Sequence, residues 1–359
     1  MSQHFYKKHF LASPFYLWLI WIIYNGINLL IKGFNYEISL GLYIITVLFI
    51  PYLSMIISYK EIQRDKTKYL NFLSAVFFLF SLLSITVLGK GELTSSDANL
   101  DIQRSVGQLG NLGPLTSLFI LFFLSLLYVI RNKRIETLIM FTIYVIGVVA
   151  LSGTRKAIGA VILILLATYL AKMRFTFKNI LATLSVSFVI SFGYNYIMEN
   201  TALGVRFEKG VEEGEKANTS NIEALNFLGD RAYFYINGWI IFTENPLSGI
   251  GLENYRNVSK SNYRLHTEYM VQLTETGLIG TTLFILFNFS VVKRLFSTWK
   301  KYKIRRSEVW VLTGVFLAIL FIGLTAWTYS FPHYFIVFGV IIGFLETIRR
   351  EEERNEILY

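Results

Sequence analysis

The sequence predicts an all-α polytopic membrane protein of about ten transmembrane helices, with one long extracytoplasmic loop containing short helices. Three observations predict it. Apolar runs of spanning length recur along the 359 residues, and a helix needs about 20 residues to cross the hydrocarbon core. Hydrophobic residues make up 54% and charged residues only 16%, where soluble domains carry about 25% charged residues. The cations gather in short segments between apolar runs, so the net charge of +10 reads as a topology signal and not as a nucleic-acid footprint.

Ten segments fit spans: 15–31, 38–58, 70–88, 114–130, 135–152, 157–171, 180–198, 268–292, 309–329 and 334–348. Segments 157–171 and 334–348 are short for a crossing, so their ends are expected beside water or protein. The first run lacks a small-residue cleavage site and is read as a retained span. Segments 60–68, 131–134, 172–178, 293–306 and 349–354 hold most of the short-loop Lys and Arg. The positive-inside rule then places both termini in the cytoplasm. The basic tract 293–306 is most simply a topology anchor facing anionic lipid. The chain divides into an N-terminal bundle (1–198), a long outward segment (199–267) and C-terminal spans (268–359).

That long segment is the functional candidate, because loops beyond about 15 residues are usually functional or disordered. Residues 207–223 are rich in Glu, Lys, Asn and Gly and read as mobile. Residues 232–242 are apolar and aromatic but too short to span, which predicts an interfacial or re-entrant helix docked on the bundle. Asn245-Pro246 ends that helix. A glycine turn follows, Gly249-Ile250-Gly251, whose two glycines suit a tight turn or close approach to a ligand. No strand precedes it, so a dinucleotide site is rejected. Cysteine is absent, which excludes disulfides and thiolate metal sites. No His/Asp/Glu cluster has metal spacing, and no cofactor is expected.

Five outward-facing residues are candidates for chemistry. Arg155 and Lys156, in Gly153-Thr154-Arg155-Lys156, run against the positive-inside trend. An arginine fork pairs phosphate oxygens bidentately; the plainer reading is a snorkelling anchor. Arg231 opens the short apolar helix behind Asp230, a plausible N-cap, and its plainer reading is a surface ion pair. His266 precedes a helical pattern starting at Glu268. A helix N-terminus disfavours the imidazolium and keeps the ring a neutral base; a water-satisfied loop histidine is the plainer reading. Glu268 points elsewhere on the helix, so it is a poor ring orienter. Arg104 is a candidate contact for sugar or diphosphate, and its plainer reading is a solvated loop cation paired with Asp101.

The runs Pro246-Leu247-Ser248-Gly249-Ile250-Gly251-Leu252-Glu253-Asn254-Tyr255, His266-Thr267-Glu268-Tyr269 and Leu273-Thr274-Glu275-Thr276-Gly277-Leu278-Ile279-Gly280 together resemble the signature of the O-antigen polymerase and O-antigen ligase superfamily. Thr267 stands where Asn is usual, and Met270 where Leu is usual. The resemblance implies a GT-C-like glycosyltransferase of the inner membrane. Its implied donor is an oligosaccharide on undecaprenyl diphosphate, and its acceptor a growing glycan. A chain-length regulator is a further candidate partner; nucleic acid is not one. The resemblance also implies that His266 is the base, that Arg155 and Arg231 hold the diphosphate, with Lys156 and Arg104 as lesser contacts, and that no metal takes part. A ligase shares these motifs. A non-enzymatic flippase would instead show pseudo-symmetric halves and ionisable groups deep in its spans, and neither is visible.

Overall fold

A computed structural model describes residues 13–33, 39–86, 112–131, 135–152, 155–172, 231–259, 265, 267–324, 326, 328–329 and 331–358. The described residues are helical, without strands. Helix α1 is Pro14–Lys32, with Ser13 before it and proline in its first turn, where a missing N–H costs nothing. Helix α2 runs Leu40–Arg64 with a wider π stretch at Ile44–Phe49. Then come α3 (Lys66–Thr86), α4 (Leu112–Arg131), α5 (Ile135–Ser152) and α6 (Arg155–Lys172). The last third holds α7 (Arg231–Glu244), α8 (Tyr255–Ser259), α9 (Glu268–Lys301), α10 (Arg306–Gly323) and α11 (Pro332–Leu358).

Among the described residues, five helices are long and apolar enough to cross a membrane: α1, α2, α9, α10 with its preceding turn, and α11. Shorter apolar helices cover Thr116–Ile130, Ile135–Val149 and Ala157–Lys172. These are the features of a polytopic membrane protein. The expected span 180–198 lies outside the described residues.

Two expected spans end differently. Segment 334–348 is not short: α11 continues to Leu358 through a charged stretch. Glu346 pairs with Arg349 (2.6 Å) and Arg350 (3.0 Å), and Arg349 with Glu353 (3.4 Å). Pairs at i,i+3 and i,i+4 support a helix in water, where hydropathy gives no signal. Segment 309–329 stops being helical at Gly323. Beyond it, the amides of Thr328 and Tyr329 serve a carboxylate instead of a helix ladder.

The chain forms two compact units. One comprises 1–64, 230–303 and 322–359. Its core is aromatic: Trp18 stacks on Trp21 at 4.3 Å and meets Phe287, Tyr329 and Phe335 within 5.4 Å. Helices α2 and α11 approach closely because Gly339 and Gly343 face the backbone of Met55 and Tyr59, the small-residue contact that replaces the hydrophobic effect between helices in lipid. The other unit comprises 65–229 and 304–321. Helix α4 is its centre: Leu118 through Phe123 are all buried, as expected for a helix apolar all round.

Candidate functional site

The site is organised by a break in α9. Gly277 has φ 64° and ψ −169°, a conformation open essentially only to glycine. In an unbroken helix the N–H groups of Leu278 and Ile279 would donate to Thr274 and Glu275. Here they donate to Pro246 O (2.8 Å) and Leu247 O (3.2 Å). The freed carbonyls of Thr274 and Glu275 accept from Ile250 N–H (3.1 Å) and Gly251 N–H (2.8 Å). The glycine turn and the helix break therefore satisfy each other, four bonds in all, and each of these backbone groups finds a partner across the contact. The close approach expected of the glycine turn is to its own chain: a Cβ on Gly249 (φ +65°) would meet the Glu275 carbonyl at 2.5 Å. Gly251 has φ +90° and lies over the stem of Lys32.

Side chains lock the same contact. The Tyr24 hydroxyl donates to Thr276 O (2.8 Å), and Asn28 Nδ2 to Ser248 O (2.8 Å). Asn254 Nδ2 donates to Ile250 O (2.9 Å) and Gly33 O (3.0 Å). The Glu275 carboxylate, buried, accepts from Glu253 N–H (2.9 Å) and Tyr255 N–H (3.4 Å). It thereby shapes the turn into α8, where Glu253 itself takes φ 64°. Burial pushes the Glu253 carboxyl up to about 7, against the opposing pull of Arg256.

The expected short helix is present as α7 and packs on the first part of α9. Thr274 Oγ1 donates to Gly238 O (3.0 Å), Asn237 Nδ2 to the Tyr255 hydroxyl (2.9 Å), and the Tyr235 hydroxyl to Leu324 O (2.7 Å). Tyr255 is buried, so it offers no sugar-stacking face, whereas Trp239 is exposed. The two parts of α9 differ in surroundings. Met270 to Gln272 and Thr274 to Gly277 are encased in protein, while Leu278, Ile285, Phe289 and Phe296 beyond the break are exposed.

Of the predicted site residues, His266 and Arg104 lie outside the described residues. Arg155 and Lys156 stand at the first turn of α6 and Arg231 at the start of α7. Helix α9 starts at Glu268 as expected, with Thr267 as its N-cap: the side chain accepts from Met270 N–H. Among the described residues, no group of three or more His, Cys, Asp or Glu is placed to hold a metal ion. Sequence reasoning missed the anchoring carboxylates Glu275 and Glu268, both buried. The signal that could have found them is a charged residue at each position of a segment otherwise fit for membrane.

Residues 138–285 match the family model described as O-antigen ligase, which bears out the resemblance to the O-antigen polymerase and ligase superfamily. Members of that family are glycosyltransferase-like O-antigen ligases and polymerases. No curated protein matches the chain. The matched segment runs from α5 to the middle of α9 and contains Arg155, Lys156, Arg231, the glycine turn, His266 and the helix break. Arg104 falls outside it. The described apolar helices are those of a multi-pass membrane protein.

Proposed function

We propose that this chain is a polysaccharide polymerase, joining oligosaccharide repeat units carried on undecaprenyl diphosphate at the outer face of the inner membrane. The single observation that carries the reading is that one family match, residues 138–285, contains the base candidate and three of the four cation candidates. The segment 199–267 is the catalytic region, facing outward, with both termini inside. In the reaction an acceptor sugar hydroxyl gives its proton to the imidazole of His266. Its oxygen attacks the anomeric carbon of the donor, and the bond from that carbon to the diphosphate oxygen breaks. The electron pair leaves on the diphosphate, held by Arg155 and Arg231, with Lys156 and Arg104 as secondary contacts. One displacement inverts the anomeric centre. Stabilising the charge that develops on the leaving group is expected to contribute most to the rate at such a site, and general-base help adds about 10²–10⁴ in rate.

His266→Ala abolishes polymer while leaving membrane insertion and lipid-linked repeat units intact. Full-length polymer from that variant removes the base assignment. Arg155→Lys and Arg231→Lys keep the charge and lose the fork, so each lowers activity; unchanged activity in both rules out bidentate contact. Because the chain has no cysteine, His266→Cys gives a single labelling site. Reaction with a membrane-impermeant maleimide from outside supports the orientation, and protection there with reaction from the cytosol reverses it.

A second reading follows from the matched family's description as O-antigen ligase: an enzyme that moves finished glycan to another acceptor. Glycan profiling of a deletion strain separates the two. Single repeat units on the acceptor mark a missing polymerase; long chains left on the lipid carrier mark a missing ligase.

A further inference from the structure

We propose that Glu268 is a positioning residue for the reaction, acting through backbone amides and a glutamine. This rests on the reading of His266 as the base. The carboxylate is buried at 2% exposure, which is costly for a charge unless donors surround it. Four donors do. Thr328 N–H (2.8 Å), Tyr329 N–H (3.2 Å) and the Thr328 hydroxyl (3.4 Å) donate to Oε2, and Gln272 Nε2 (2.8 Å) donates to Oε1. Three of these donors converge on Oε2 and one meets Oε1, so the carboxylate is held chiefly by the stretch that carries Thr328 and Tyr329.

These bonds, continued through Gln272, tie two distant parts of the chain to the start of α9. Gln272 passes the contact on: its Oε1 accepts from Trp21 Nε1 (3.0 Å) in α1. The amide orientation is fixed at both ends, because indole only donates and a carboxylate only accepts. Thr328 and Tyr329 belong to the stretch between α10 and α11. The first turn of α9 is thus bound to the first span and to the last inter-span turn. A negative charge in that turn also complements the helix dipole. In the sequence His266 stands two residues before Glu268, and its neighbours Leu265 and Thr267 are both buried (0% and 1%). Fixing Glu268 and Thr267 holds the two residues that directly follow the base in the sequence.

The test uses the full-length protein in liposomes with a lipid-linked oligosaccharide donor. Glu268→Gln turns one acceptor oxygen into an amide donor facing other donors, and kcat falls by about 10²-fold, the loss expected from a misplacement near 1 Å. KM for the donor stays within about twofold. The double variant Glu268→Gln with Gln272→Glu restores the polarity of every bond: the new amide oxygen accepts from Thr328 and Tyr329, and its nitrogen donates to the new carboxylate. It recovers at least tenfold of the lost kcat. A normal kcat in Glu268→Gln overturns the proposal, as does a folded double variant without recovery. If Glu268→Gln does not accumulate in the membrane, the double variant is read against the unaltered protein: accumulation with kcat within about tenfold supports the proposal, and a folded double variant with a larger loss overturns it. His266→Ala is measured alongside. If it is inactive while Glu268→Gln is normal, only the positioning role falls; if it is active, the base reading falls and takes this one with it.

Discussion

Replacing Gly277 by alanine leaves α9 two routes, and both are costly. In the first, the break persists and alanine adopts φ 64° and ψ −169°. That strain is of order 1–3 kcal/mol, and the new Cβ would stand 2.5 Å from Leu247 O, a backbone atom that moves only if the turn moves. In the second, the helix straightens and recovers its own ladder. The amides of Ile250 and Gly251 and the carbonyls of Pro246 and Leu247 are then left without partners. Four bonds are broken and two are regained in the ladder, a net loss of two at about 0.5–1.5 kcal/mol each, roughly 1–3 kcal/mol. Either route predicts a loss of about 1–3 kcal/mol. Thermal unfolding of the purified protein in detergent measures it, with cleavage by added protease near residues 245–264 as a second readout. Gly26→Ala, also in a helix but with nothing within 4 Å of the new Cβ, is the control and shows no loss. A Gly277→Ala protein that unfolds with the control and makes normal polymer would refute the interlock of turn and break.

Two further outcomes follow from the same region. The Glu253 carboxyl, pushed up to about 7 by burial, binds its proton more tightly folded than unfolded. Its contribution is complete below about pH 4.5 and is lost as pH rises to about 7, a change on the order of 3 kcal/mol; Glu253→Gln flattens the stability profile in that window, and parallel profiles exclude the effect. Asn28→Ala removes the 2.8 Å donor to Ser248 O from a side chain only 4% exposed, and lowers the unfolding temperature by the equivalent of about 1–2 kcal/mol, measured by the same scan.

Helices built on apolar runs are legible in the sequence. The run 135–152 predicts a span and forms Ile135–Ser152, because hydropathy alone decides such a segment. The short helix before Asn245-Pro246 is legible for a similar local reason: a proline stop after an aromatic run. The extension of α11 through Arg349 is not, since its support comes from ion pairs invisible to hydropathy. The break at Gly277 is hidden because Glu275-Thr276-Gly277-Leu278-Ile279-Gly280 averages to an ordinary span with small residues. Its cause lies about 30 residues earlier, in carbonyls at Pro246 and Leu247. The roles of Glu268 and Glu275 are equally non-local, as their partners are amides at Thr328 and Tyr329 in one case and Glu253 and Tyr255 in the other. The quoted motifs nonetheless mark the right place: the runs 246–255 and 273–280 are the two halves of one contact.

The first span carries Trp21, Tyr24 and Asn28 toward acceptors at Gln272, Thr276 and Ser248, 251, 252 and 220 positions further along the chain. At roughly 5–20 residues per second of synthesis, those groups wait on the order of 10–50 s for the polypeptide that will satisfy them. A newborn α1 is therefore an incomplete lodger in the bilayer, and the insertion machinery must shelter its polar edge until the final third of the protein emerges.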